Sequence, residues 1–387
     1  MAETFWDVLI LTDPRFMGGT SAAIATDVRA FQAMGLKTAI HFIDANGFFL
    51  PEETANPVFD ELFALGGVEK IETSSARARL AFFHHPAIFL NECSAPLRIL
   101  ADKAIIVTHQ PLFAGNGGLN IDPIRVQNNI QRQFGPKPDW APISGLCRSQ
   151  YLSFAPFLRL TNIDWINTFA VEDWKPKREK LTGPMLTVGR HGRPHKDKWP
   201  DTGDDLTASL PAGPQTHIRV LGADPEFYSG YGVDISAWEI LPFNAEPAAD
   251  YLDSLDVFSY FHSSEWTEAF GRTIAEAMLM KTRCILDPAL KPTFGEHAIY
   301  CQPTEVSNVL EHIRADLPAA KKAAEAARDF CVTAYSTSTI AARYHAMLAD
   351  SGTTSRRGEI AVAPWTSLRR LAGFHRRQRA YKNRVTA

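Results

Sequence analysis

The chain has 387 residues, 45% of them hydrophobic and 21% charged, with a formal net charge of −3. That length exceeds one ordinary core and predicts two domains of a soluble globular protein. The composition excludes a disordered chain, and no apolar run approaches the roughly 18–20 residues of a membrane span. The opening Met1-Ala-Glu-Thr-Phe-Trp-Asp7 lacks the basic and apolar regions of a signal peptide. Five scattered cysteines with no C-x-x-C pair predict free thiols in a reducing cytoplasm. Charge is unevenly placed: residues 355–387 hold nine Lys/Arg and one acid, Glu359, so this tail is +8 and the remainder −11.

In chain order, Phe5–Thr12 reads as a first buried strand. A turn with Asp13-Pro14 and Gly18-Gly19 follows, then a helix from Ser21 to Met34, stopped by Gly35. Lys37–Ile43 reads as a second strand. This β–loop–α–β order predicts a doubly wound α/β start, although no G-x-G-x-x-G occurs here. Further strands are expected at Ala81–His85, Ala104–His109 and Leu160–Ile166. A charged linker is expected within Glu172–Gly183.

A second cycle opens near Pro184–Arg190 and continues with strands at His217–Gly222, Trp238–Pro242, Val257–Phe261 and Arg283–Leu286. Closing helices are expected over Ala319–Phe330 and Thr337–Leu348. The domains predicted are 1–178, 179–335 and a closing helix with basic tail, 336–387. Two such halves imply Rossmann-like domains facing a cleft.

Glu268-Ala-Phe-Gly-Arg-Thr-Ile-Ala-Glu276 is the most informative segment. It follows an apolar strand and passes through Gly271 into the helix formers Thr273–Met280. Free first-turn N–H groups and a positive dipole end make that junction an anion site. A carboxylate on each side of it suits a ligand with hydroxyls flanking a diphosphate. Two glutamates eight apart would otherwise be two solvated side chains on one helix face.

The segment resembles the Glu-seven-residues-Glu signature of the large retaining "glycosyl transferases group 1" family (family 4 type), which has the GT-B fold. Ala269 stands where that family usually has Gly, and Met280-Lys281-Thr282 replaces a common Gly-x-Pro. Other segments carry the same resemblance. Gly18-Gly19 lies where the family places a glycine pair that approaches donor phosphate or acceptor. Thr161–Pro176 is similar to its interdomain segment, with Thr168 departing from Gly. Val188–Pro200 is similar to its Arg…Lys loop, where either Arg190 with Lys196 or Arg193 with Lys198 fits, the latter preferred. Pro292–Tyr300 is similar to its F-G-x-x-A-x-Y turn.

The resemblance implies transfer of a sugar from a UDP- or GDP-sugar to a glycan or lipid-linked hydroxyl with retained configuration. Glu268 would hold donor-sugar hydroxyls, Glu276 the ribose, and Arg193 and Lys198 the diphosphate; Phe270, Gly271, Arg272 and Thr273 would line it. His109 matches an active-site histidine, with His84-His85 a second candidate. No D-x-D triplet and no H-E-x-x-H spacing occur, so neither a metal nor another cofactor is expected. Base, sugar and acceptor would depend on loops such as 221–236 and 116–132.

In the basic segment 364–384, Trp365, Leu368, Leu371 and Phe374 share one helical face. That pattern fits peripheral contact with an anionic membrane, and equally a helix crossing back to the N-terminal domain or a loosely ordered tail. Nucleic acid is not expected as a partner, since the acidic body would repel its backbone. The rival readings are a sugar-nucleotide epimerase of the same fold and a non-catalytic glycan-binding or scaffold partner.

Overall fold

A computed structural model describes residues 4–45 and 47–385, with side chains through residue 380. The expected reading of Met1–Glu3 and the side chains of residues 381–384 lie outside the described residues. The chain divides into two compact units, Met1–Phe169 with Thr337–Ala387, and Ala170–Ser336.

Unit 1 holds strands β1 (Phe5–Thr12), β2 (Thr38–Phe42), β3 (Val68–Lys70), β4 (Ser75–His84), β5 (Arg98–Thr108) and β6 (Asp139–Pro142). They form one sheet in the order β3-β2-β1-β4-β5-β6, parallel throughout. In register, Leu9 lies between Ala39 and Ala81. Val8, Leu9, Ile10 and Leu11 are all fully buried. Both faces of a central parallel strand are covered, which is why the sequence there is continuously apolar. Truncating one such residue, Ile10→Ala, would cost about 2–5 kcal/mol. Helix α1 (Gly19–Ala33) follows β1, and α2 (Pro123–Phe134) precedes β6, capped by the Asp122 carboxylate on the Ile124 and Arg125 N–H groups.

Unit 2 repeats the plan. Strands β7 (Leu186–His191), β8 (Thr216–Leu221), β9 (Trp238–Leu241), β10 (Val257–Tyr260), β11 (Arg283–Leu286) and β12 (Ile299–Tyr300) run β9-β8-β7-β10-β11-β12. Helix α3 (Arg272–Leu279) joins β10 to β11, and α4 (Leu317–Tyr335) packs on α3. Gly189 in β7 has no room for a side chain: a Cβ there would meet the Arg219 carbonyl at 2.0 Å and the Tyr251 hydroxyl at 2.6 Å. The chain re-enters unit 1 as α5 (Ile340–Ala349) and α6 (Pro364–Val385).

Each sheet has the order 3-2-1-4-5-6 of a doubly wound Rossmann-like domain. The order reverses between β1 and β4, and again between β7 and β10. Loops leaving these strand pairs diverge at the carboxyl ends, which is where such sheets bind ligands.

One expected strand is absent. Leu160–Ile166 makes only isolated bridges, Leu160 with Trp140 and with Thr353. The sixth strand is instead Asp139–Pro142. Asn162 turns its N–H and its side chain to Asp350, and the Thr161 hydroxyl donates to Ile163, so local side-chain bonds displace a ladder there. Strands β3 and β12 also form without a sequence signal, each being three residues or fewer.

Candidate functional site

At the reversal point of unit 2, the loop after β7 carries Arg193, Lys196 and Lys198, and the loop after β10 carries Glu268, Phe270 and Gly271. The loops are tied together, the Ser263 N–H donating to the Asp197 carbonyl at 3.1 Å. Lys198 Nζ lies 2.6 Å from Glu268 Oε2, and the Tyr260 hydroxyl donates to the same oxygen at 2.8 Å. Both bonds fall on Oε2. The Lys198 ammonium also sits 4.5 Å above the Trp266 ring. Burial pushes the Glu268 carboxyl up, but the Lys198 charge and the two hydrogen bonds outweigh it and hold it below its ordinary value. Glu268 is therefore an oriented carboxylate at neutral pH.

Gly271 starts α3 in the left-handed region, at φ 84°. A Cβ there would lie 2.8 Å from the Ile274 side chain, so the turn needs glycine. Gly271 brings no side-chain cap, and the positive end of the helix faces the loop. Phe270 is buried with its ring 5.2 Å from Tyr335 and 6.1 Å from Phe294, which fixes the turn. Thr273 is half-buried in the first turn. One turn on, Glu276 lies 3.6 Å from His191 Nε2 and 3.9 Å from Arg272 Nε. Burial raises the Glu276 carboxyl, with Arg272 partly offsetting it. Burial, then the Arg190 charge, lowers His191 to about 4.

The basic residues of the loop divide by environment. Arg190 is 1% exposed. It donates to the Phe261 carbonyl at 2.6 Å and to the Lys198 carbonyl, and lies between the Trp199 and Tyr260 rings at 3.9 and 4.6 Å. Its guanidinium is thus occupied in fixing the Lys198 backbone. Arg193 and Lys196 are exposed, and neither makes an ion pair among the described residues. Lys198, half-buried and paired with Glu268, is the cation the fold has positioned.

At the reversal point of unit 1, Gly18 ends the loop after β1 and precedes Gly19, the first residue of α1. His84 ends β4, buried, with Nδ1 2.9 Å from His109 Nε2 just past β5. His85 has a left-handed φ of 68°, and its ring lies 4.4 Å from that of Phe16, tilted by 32°. Phe16 also meets Phe48 and Phe49 at 5.7 and 5.0 Å. Burial holds His84 and His85 at about 3, so both rings are neutral at ordinary pH. The predicted histidines are therefore brought together, beside an aromatic cluster.

Sequence reading missed Tyr260, Trp266, His191 and the Phe16/Phe48/Phe49 cluster. Tyr260 and His191 sit at the ends of buried strands, where an apolar run hides which side chain faces a ligand. Among the described residues no group of three or more His, Cys, Asp or Glu could hold a metal ion, and no helix is long and apolar enough to cross a membrane.

No protein-family model and no curated protein matches the chain. Solved structures do match. Anabaena HepE, solved in complex with UDP and glucose, superposes with a TM-score of 0.62 at 13% identity, over 89% of this chain and 99% of that one. A glycosyltransferase from Rickettsia africae gives 0.61 at 12% identity, over 90% and 99%. Sucrose-phosphate synthase from Thermosynechococcus elongatus gives 0.59 at 14%, over 87% and 97%. At such low identity the likeness speaks for architecture, and together with the paired doubly wound sheets it establishes the GT-B fold of glycosyltransferases.

Proposed function

We propose that the chain is a retaining, metal-independent glycosyltransferase of the group 1, family 4 type. It moves a sugar from a UDP- or GDP-sugar bound by unit 2 to a hydroxyl of a glycan or lipid-linked acceptor taken by unit 1. The pathway would be cell-surface polysaccharide synthesis on the cytoplasmic side, where the basic 364–384 segment is the candidate membrane contact. The observation that carries the reading is the Lys198–Glu268 pair beside the Gly271 turn at the reversal point of unit 2.

The chemistry follows from charge. Cleaving the bond between sugar and β-phosphate leaves negative charge on phosphate and an electron-poor anomeric carbon. Lys198, with Arg193 from the same loop and the start of α3, would stabilise the phosphate charge. Glu268 would accept from a sugar hydroxyl, a charge-assisted bond worth about 1.5–3 kcal/mol. Arg190 acts through Lys198, as a positioning residue. Glu276 accepts from ribose hydroxyls, with Arg272 and Thr273 near the phosphates. In unit 1, His109 faces the acceptor, its ring set by His84.

Purified protein in EDTA would be incubated with UDP-, GDP-, ADP- and TDP-sugars, following thermal shift and slow nucleotide release. HepE's capture with UDP makes UDP-glucose the first donor to try. Stabilisation by one donor, with nucleotide release lost in Glu268→Ala, supports the proposal. Conversion of the sugar with no nucleotide released would assign an epimerase instead. No response to any nucleotide would leave a glycan-binding or scaffold protein.

A further inference from the structure

We infer that the outward face of α6 docks this protein onto an anionic lipid surface. The helix is held to unit 1 by its inner face. Ser367 and Phe374 are buried, Arg370 lies 4.9 Å over the Phe113 ring, and His375 Nε2 is 2.9 Å from Asp122 Oδ2. The apolar face expected to meet lipid is therefore divided: Phe374 is spent on the body, while Trp365 points away at 71% exposure.

What remains outside is a different stripe. Trp365, Arg369, Ala372, Arg376 and Arg379 are all exposed. Their spacing of four, three, four and three places them on one narrow face, about 21 Å long. None of the three arginines pairs with a carboxylate among the described residues. The stripe belongs to the +8 tail of a chain whose remainder is −11. At physiological salt, charges beyond about 8 Å are screened, so a flat anionic surface meeting the stripe feels chiefly its exposed arginines, the adjacent Asp122 being buried and paired with His375. A tryptophan at one end suits the headgroup level of a bilayer. The stripe has no aromatic rings between its arginines on which nucleic-acid bases could stack. This docking rests on the membrane contact of the proposed function and narrows it to one face, whose residues belong to unit 1 and include none of the donor site.

Flotation of the full chain with vesicles tests it, using phosphatidylcholine alone or with 30 mol% phosphatidylglycerol, roughly the anionic content at which basic clusters bind. Binding is expected only to the anionic vesicles, and is lost at high salt. Neutralising Arg369, Arg376 and Arg379 to Gln should lower partitioning about a hundredfold, given roughly 1 kcal/mol per charge. The donor-induced thermal shift of that variant should match wild type, which separates failure here from failure of the transferase reading. Trp365→Phe should remove a blue shift in emission on vesicle binding. No binding to anionic vesicles, or undiminished binding by the triple Gln variant, would overturn the proposal. Retention on DNA without vesicle binding would assign the stripe to nucleic acid.

Discussion

The two sheets share one strand order, yet their reversal points present different chemistry. In unit 2 the loops bring together ions: Lys198 on Glu268, with buried Arg190 behind them. In unit 1 the same topological position holds imidazole rings, the His84–His109 pair and His85 against Phe16, and the ionic Arg15 in the loop after β1 is already paired with Asp13 and Asp44. Topology fixes where a ligand can sit, and the residues on four loops decide which kind. A cation held beside a helix start suits a diphosphate leaving group, while imidazole and aromatic faces suit a hydroxylated acceptor.

The comparison is broken most easily at Glu268. Glu268→Ala leaves Lys198 without its partner and would remove the proposed sugar contact, so kcat/KM should fall about 10²–10³-fold. Steady-state kinetics within a fewfold of wild type would remove Glu268 from the site. Arg190→Leu should leave the Phe261 and Lys198 carbonyls unsatisfied and lower stability by about 3 kcal/mol, read as a shifted denaturation midpoint. Its accompanying loss of kcat would report the displaced Lys198 loop.

Acid should discriminate between the units. His84 and His85 at about 3, and His191 at about 4, all lie below their unfolded value near 6.5. Below pH 6.5 the unfolded chain therefore binds more protons than the folded one. Stability should fall as pH drops from about 6.5 to 4, by up to roughly 1.4 kcal/mol per pH unit for each histidine. Unit 1 holds two of the three, so its melting should steepen more, and His84→Gln should flatten it. The smallest expected effect is at Glu276. Glu276→Gln should raise donor KM about tenfold with kcat nearly unchanged, the outcome expected if it holds ribose and not the reacting centre as proposed. Relieving a carboxyl that burial disfavours should leave stability unchanged or slightly raised.

Much of this was legible in the sequence because buried parallel strands write themselves as apolar runs: β1, β2, β7, β8 and β10 all fall on predicted segments. The Glu268–Glu276 spacing with Gly271 marked the start of α3. The shortest strands carry too few residues for a pattern, and β6 ends in a proline, which obscured it. Which basic residue faces Glu268 depends on how residues 192–199 fold back, a three-dimensional fact. Arg190 and Lys198 look alike in sequence, but one is sealed between two rings and the other is aimed at a carboxylate. Likewise, the apolar stripe of α6 was visible, but not that the body of unit 1 covers part of it.

Hydrogen exchange with and without a saturating nucleotide sugar is the most direct test of the division between the two reversal points. The account predicts new protection confined to unit 2, at residues 192–199 and 264–274, with residues 13–18 and 84–85 unchanged. Protection centred on the unit 1 loops, or none in either unit, would contradict it.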